Sequence, residues 1–123
     1  MGEFALPRDN EKYRWTHHVV RKLRFYGLTP SRVLRVIRAP ERVEEGVAEG
    51  TLAAMQTAGT KAKPWEVWVM WREEKKRAKS PLSDYRKVII TAWRYPGVSP
   101  VRERVPLPAG VLAELESEGL LDA

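Results

Sequence analysis

The sequence predicts an α+β domain in which two N-terminal helices pack on a small antiparallel sheet of about four strands, with a further helix at the C-terminus. Three observations carry that reading. Residues 86–95, Arg-Lys-Val-Ile-Ile-Thr-Ala-Trp-Arg-Tyr, are the densest run of β-branched and aromatic residues in the chain. Residues 65–71, Trp-Glu-Val-Trp-Val-Met-Trp, are a second such run. Ahead of both lie two stretches that each begin with threonine and carry apolar residues at helical spacing.

Residues 1–11, with Pro7, Asp9 and Asn10, read as a flexible arm; residues 12–119 form the single domain and residues 120–123 a tail. Residues 12–16 alternate polar with aromatic side chains, as a short edge strand does. Thr16 then caps a helix that runs to about Tyr26 and stops at Gly27. Its apolar stripe is Val19, Val20, Leu23 and Tyr26, and His18, Lys22 and Phe25 follow one another along the adjoining face. Thr29-Pro30 opens a second helix that Pro40 closes, with Val33, Leu34 and Ile37 inward and Arg32, Arg35 and Arg38 as an outer ridge.

Gly46, Gly50 and Gly59 argue against one helix over residues 41–60 and favour two short strands joined around Gly50. In residues 65–71 the alternation sets Trp65, Val67, Val69 and Trp71 against Glu66, Trp68 and Met70. Residues 73–81 are a charged hairpin loop. In the central strand, alternation sets Lys87, Ile89, Thr91 and Trp93 against Val88, Ile90 and Ala92; Arg94 and Tyr95 stand at its exit, before Pro96-Gly97. Residues 98–108 carry three prolines and read as extended. A last helix over residues 109–118 turns Val111, Leu112 and Leu115 inward and ends at Gly119.

Composition narrows the function classes. Without cysteine there is no disulfide framework and no thiolate, and the adjacent His17 and His18 do not complete a zinc site, so neither metal nor cofactor is expected. No apolar run approaches the roughly 20 residues that span a bilayer, and the N-terminus lacks the pattern of a signal peptide; a cytoplasmic protein with no membrane partner is expected. The net charge of +6 is concentrated in the body of the chain, while the C-terminal stretch is acidic. That balance fits either an ordinary solvated surface or a polyanionic partner.

No phosphate-binding glycine loop, recognisable nucleophile or paired-carboxylate pattern is present. What remains suits metal-independent cleavage of single-stranded RNA, in which the ribose 2′-hydroxyl attacks and the protein moves protons and stabilises charge. The candidates are His18 as acid or base, Lys22 and Arg94 at the scissile phosphate, and Tyr95 as hydrogen-bond donor. Each has a structural alternative: a histidine satisfied at a helix start, or an arginine in an ion pair. For binding without catalysis the candidates are Arg32, Arg35 and Arg38, the loop cations Lys75, Lys76, Arg77 and Lys79, and Trp68 as a stacking platform. The ridge and the loop run read equally as solvated charge, and the tryptophan as core.

Around residues 15–40 and 88–94 the chain resembles a family of short bacterial and phage proteins distantly related to the RelE and BrnT ribonuclease toxins. The matching positions are His18 at the helix start, Lys22 where arginine is usual, Gly27-Leu28-Thr29, an aliphatic second helix ending at Pro40, and Val88-Ile89-Ile90-Thr91-Ala92. The resemblance selects His18 over His17. It implies two helices on an antiparallel sheet, and either RNA cleavage or a protein partner such as an antitoxin.

Overall fold

The computed structural model describes residues 6–75, 85–101 and 104–121. The two runs rich in β-formers become the long strands of one sheet. They are β4 (Pro64–Lys75) and β5 (Tyr85–Pro96), antiparallel neighbours of 12 residues each. Before them come β1 (Tyr13–Trp15), α1 (His17–Tyr26), α2 (Pro30–Arg38), β2 (Arg42–Glu45) and β3 (Thr51–Gly59), and after them α3 (Val111–Ser117). The class is α+β as expected, but the sheet has five strands in the order β1-β5-β4-β3-β2 and is mixed.

The expected four-stranded antiparallel sheet with helices leading the chain is corrected at β1. Tyr13 to Trp15 pair in parallel with Lys87 to Ile89, a geometry that requires a long crossover, here everything from α1 to β4. The middle strand is β4 rather than β5. Asn10 Oδ1 accepts from the backbone N–H groups of Lys12 and Tyr13, and Asp9 Oδ1 accepts from that of Trp15, so residues 9 and 10 belong to the folded unit.

Each face of the sheet carries its own core. On the first, Val19 and Leu23 of α1 and Val33 and Val36 of α2 pack on Ala54, Val67, Val69, Trp71, Ile89 and Ala92. Val36 takes a buried place that the sequence pattern did not assign, and Leu34 and Ile37 are only partly buried. On the second face Val105, Val111 and Leu115 cover Met55, Trp68, Met70, Val88, Ile90 and Trp93. Leu120 and Leu121 pack there too, so they are part of the domain rather than a tail, whereas Leu112 points outward.

The alternation expected along β5 fails at one residue. Met70 pairs with Thr91 and Trp71 with Ile89, which leaves Ile90 as a β-bulge. From that point the strand is out of phase with simple alternation. Trp93 joins Val88 and Ile90 on the second face and stacks on Trp68, with ring centroids 5.8 Å apart and planes 3° from parallel. Ala92 joins Ile89 on the first face. Thr16, the cap of α1, satisfies the bulge: its N–H donates to Ile89 O and its hydroxyl to Ile90 O at 2.8 Å. β1 has ended by then, so α1 takes over the flank of β5 and covers its open edge.

Because Trp93 is fully buried in a stacked pair, Trp93→Ala is expected to cost about 3–5 kcal/mol. Urea unfolding measures this. A cost under about 1 kcal/mol would show that the side chain lies on an open face.

Candidate nucleic-acid interface

On α2 the burial of Val33 and Val36 leaves Arg35 and Arg38 in solvent and Arg32 half-buried against β3. Thr29 caps the helix by accepting from the Arg32 N–H, and Pro30 fills the first turn. The Arg32 guanidinium donates to Gln56 Oε1, while the Gln56 amide donates to Arg35 O and Ala39 O at 3.2 and 2.8 Å. One side chain thus anchors the helix to the sheet and orients its first arginine. Burial lowers the Arg32 pKa most, and the positive charges of Arg35 and Arg94 lower it further against the opposing pull of Glu41. Glu41 is held by the Thr57 hydroxyl at 2.9 Å.

Arg94 reaches this face because of the bulge. It stands opposite Val67 in the ladder and lies over the indole of Trp65, its Cζ 4.3 Å from the ring centroid, a cation–π contact with the guanidinium exposed. Trp65 in turn rests on the β3–β4 turn. Gly59 has φ +77°, and a Cβ there would lie 2.4 Å from Lys63 O and 2.6 Å from the Trp65 ring, so only glycine lets the indole and the turn approach this closely. The turn presents Lys61 and Lys63 to solvent.

These cations differ in one respect from Arg14, Arg21, Lys22, Arg42 and Arg86, which each have a glutamate partner at 2.7–3.2 Å. Among the described residues no carboxylate lies within ion-pair distance of Arg32, Arg35, Arg38, Lys61, Lys63 or Arg94. Like charges held together and left uncompensated favour an anion from outside.

His18 and Lys22 lie elsewhere. His18 is on the side of α1 turned toward α3 and is 0% exposed. Its Nε2 is 2.9 Å from the Thr91 hydroxyl, which the bulge has turned toward it, and its Nδ1 is 3.2 Å from Glu118. A carboxylate only accepts, so Nδ1 carries a proton; burial disfavours the charged ring, and in the neutral ring Nε2 accepts from the Thr91 hydroxyl. Arg21 binds both oxygens of Glu118 at 2.8 Å, and Lys22 binds Glu114 at 3.2 Å. The candidates for cleavage are not brought together: His18 and Lys22 face the carboxylates Glu118 and Glu114, and Arg94 lies over Trp65. Exposing His18 requires lifting α3, which uncovers Val111 and Leu115 at about 1.5–3 kcal/mol each.

Tyr95, the neighbour of Arg94, points to the second face and is half-buried against that core. Trp68 is not a stacking platform but a buried core residue. Its Nε1 donates to Glu66 at 2.8 Å, its ring is covered by Trp93, and Arg42 lies 5.3 Å from it. Glu66 is itself buried and accepts from the Ser99 hydroxyl at 2.6 Å and the Ser99 N–H at 3.1 Å. Lys75 ends β4 in solvent; Lys76, Arg77 and Lys79 lie outside the described residues.

The sequence reading singled out Arg94 but not Trp65 beneath it, nor Lys61 and Lys63 beside it. The basic residues ahead of Pro64 were the only available signal. Among the described residues no group of three or more His, Cys, Asp or Glu is placed to hold a metal ion, and no helix is long and apolar enough to cross a membrane. No protein-family model, curated protein or solved structure matches the chain.

The pKa of His18 lies below its ordinary 6.5, chiefly because burial penalises the charged ring, although Glu118 opposes this. As pH falls below 6.5 the unfolded chain takes up this proton before the folded one, so stability falls with it until the folded value is passed. Glu118, held below its ordinary 4.5 first by the Arg21 hydrogen bond, adds a loss at lower pH. Urea unfolding is therefore expected to show stability declining from about pH 6.5 downward, with the upper part of the decline absent in His18→Gln. Stability flat between about pH 7.5 and 5 would contradict the burial of a neutral ring.

Proposed function

We propose that this chain is a non-catalytic nucleic-acid-binding module that grips the phosphate backbone with the face built from α2, the β3–β4 turn and the end of β5. The observation that supports this reading is the segregation of charge. Arg21 and Lys22 beside α3, and Arg14, Arg42 and Arg86 on the sheet, are paired with glutamates within the fold, whereas Arg32, Arg35, Arg38, Lys61, Lys63 and Arg94 share one face without an ion-paired carboxylate among the described residues. A phosphate placed there relieves the repulsion between guanidinium groups and releases the counterions of the backbone. Arginine suits the task because its planar fork binds phosphate oxygens in pairs.

Binding is favoured over cleavage by the same geometry. A proton-transfer group must come within hydrogen-bond reach of the atom it serves, and His18 has no surface to offer. The charge-stabilising candidates are also divided, with Lys22 committed to Glu114 and Arg94 on the other side of the sheet edge.

Retention of a single-stranded oligonucleotide, measured over a range of salt, tests the reading. Affinity is expected to fall linearly on a log–log plot with a slope of about −0.7 per phosphate contacted, and Arg35→Ala with Arg38→Ala is expected to reduce that slope by about 1 to 2. Both side chains are exposed, so the fold survives their loss. Salt-independent retention would overturn the proposal, as would RNA cleavage in EDTA that disappears in His18→Ala.

A further inference from the structure

The basic face contains a flat surface as well as charge. The Arg94 guanidinium is held over the Trp65 indole at 4.3 Å, and Trp65 is braced from below by the turn at Gly59. Trp65 also packs against the first core, so the indole does not swing away. A guanidinium resting on an indole keeps its other side toward solvent, and Arg94 is exposed. Arg32 is close enough to feel its charge, and among the described residues no carboxylate is ion-paired with it and no aromatic ring other than Trp65 is in cation–π contact with it.

Resting on the backbone-binding reading above, we infer that Arg94 is a stacking platform for an unpaired nucleobase, so that the ligand of this face is a single strand rather than a duplex. A duplex offers phosphates and the edges of its bases but no flat base face, since its bases are stacked on one another. A single strand presents both the phosphate and the face of the base, and arginine planes take such bases as aromatic rings do. The arrangement places the base on Arg94 and its adjoining phosphate toward Arg32 and Arg35. The charges of Arg35 and Arg94 are both felt at Arg32, which places the three guanidinium groups near one another. Stacking is sequence-tolerant because every base has a flat face, so the platform discriminates weakly among the four bases.

Three probes of equal length separate the contributions: a single-stranded oligouridine, an abasic strand with the same phosphates, and a duplex of mixed sequence. At about 50 mM salt the parent protein is expected to bind the oligouridine about 5-fold or more tighter than the abasic strand. Arg94→Lys keeps the charge and loses the plane, and is expected to bring the affinity for oligouridine down to that for the abasic strand. Unchanged near-ultraviolet circular dichroism verifies that this exposed substitution leaves the fold intact. Equal binding of the oligouridine and abasic strands by the parent would overturn the platform while leaving the backbone-binding reading standing. A duplex bound more tightly than the oligouridine would overturn it as well. Salt-independent binding, or none, with all three probes would remove both.

Discussion

The extra residue in β5, Ile90, is the constraint on which the arrangement depends. A strand without it would turn Thr91 and Trp93 toward the α1–α2 face and Arg94 away from it. With it, Thr91 faces His18, Trp93 closes onto Trp68 in the second core, and Arg94 comes round to Trp65 and the arginines of α2. The bulge is held on both flanks. On one side the ladder with β4 resumes at Met70 and Thr91; on the other the Thr16 hydroxyl takes up the Ile90 carbonyl. Thr16 is also the N-cap of α1, accepting from the Val19 N–H at 3.1 Å, so the start of the helix and the phase of the strand are fixed by one side chain. A single local irregularity therefore decides both what is sealed in and what is left outside.

The sealed part is the junction of α1, β5 and α3. Three basic groups of α1 meet two carboxylates of α3, and the buried member, His18, completes its hydrogen bonding with Thr91 and Glu118. The exposed pairs contribute little individually, since surface ion pairs are each worth about 1 kcal/mol or less. Their effect is to set the register of a seven-residue helix too short to be stable alone, while Val111 and Leu115 supply the apolar contact that holds it. Glu114 and Glu118 of the acidic C-terminal stretch are thereby committed to α1. Among the described residues the cations of α2, the β3–β4 turn and Arg94 carry no ion-paired carboxylate, and the nearest counter-charge felt at Arg32 is that of Glu41.

The elements were legible in the sequence because their signals are local. Thr16 with Gly27, and Thr29-Pro30 with Pro40, bound α1 and α2, and the glycines of residues 46–59 correctly split that stretch into two strands. The bulge was not legible, because no glycine or proline marks Ile90 and periodicity alone continues through it. Every misassignment in β5 follows from that one residue, including the face given to Trp93. Parallel pairing of β1 was hidden for a different reason: Tyr13 and Lys87 are joined through a crossover that leaves no trace in either segment. The site was half visible. The arginine ridge of α2 follows from helical spacing, but the pairing of Arg94 with Trp65 is a product of register, and the burial of His18 depends on a helix about 100 residues away.

The central claim is that nucleic acid meets the face of α2, Trp65 and Arg94 while the His18 junction stays closed. Backbone amide chemical shifts followed by NMR during titration with a short single-stranded oligonucleotide at low salt test it most directly. The account predicts shifts concentrated in α2, the β3–β4 turn from Gly59 to Trp65 and the end of β5, with Thr91 and Glu118 unmoved. Shifts centred on His18, Thr91 and α3, with α2 silent, would contradict it.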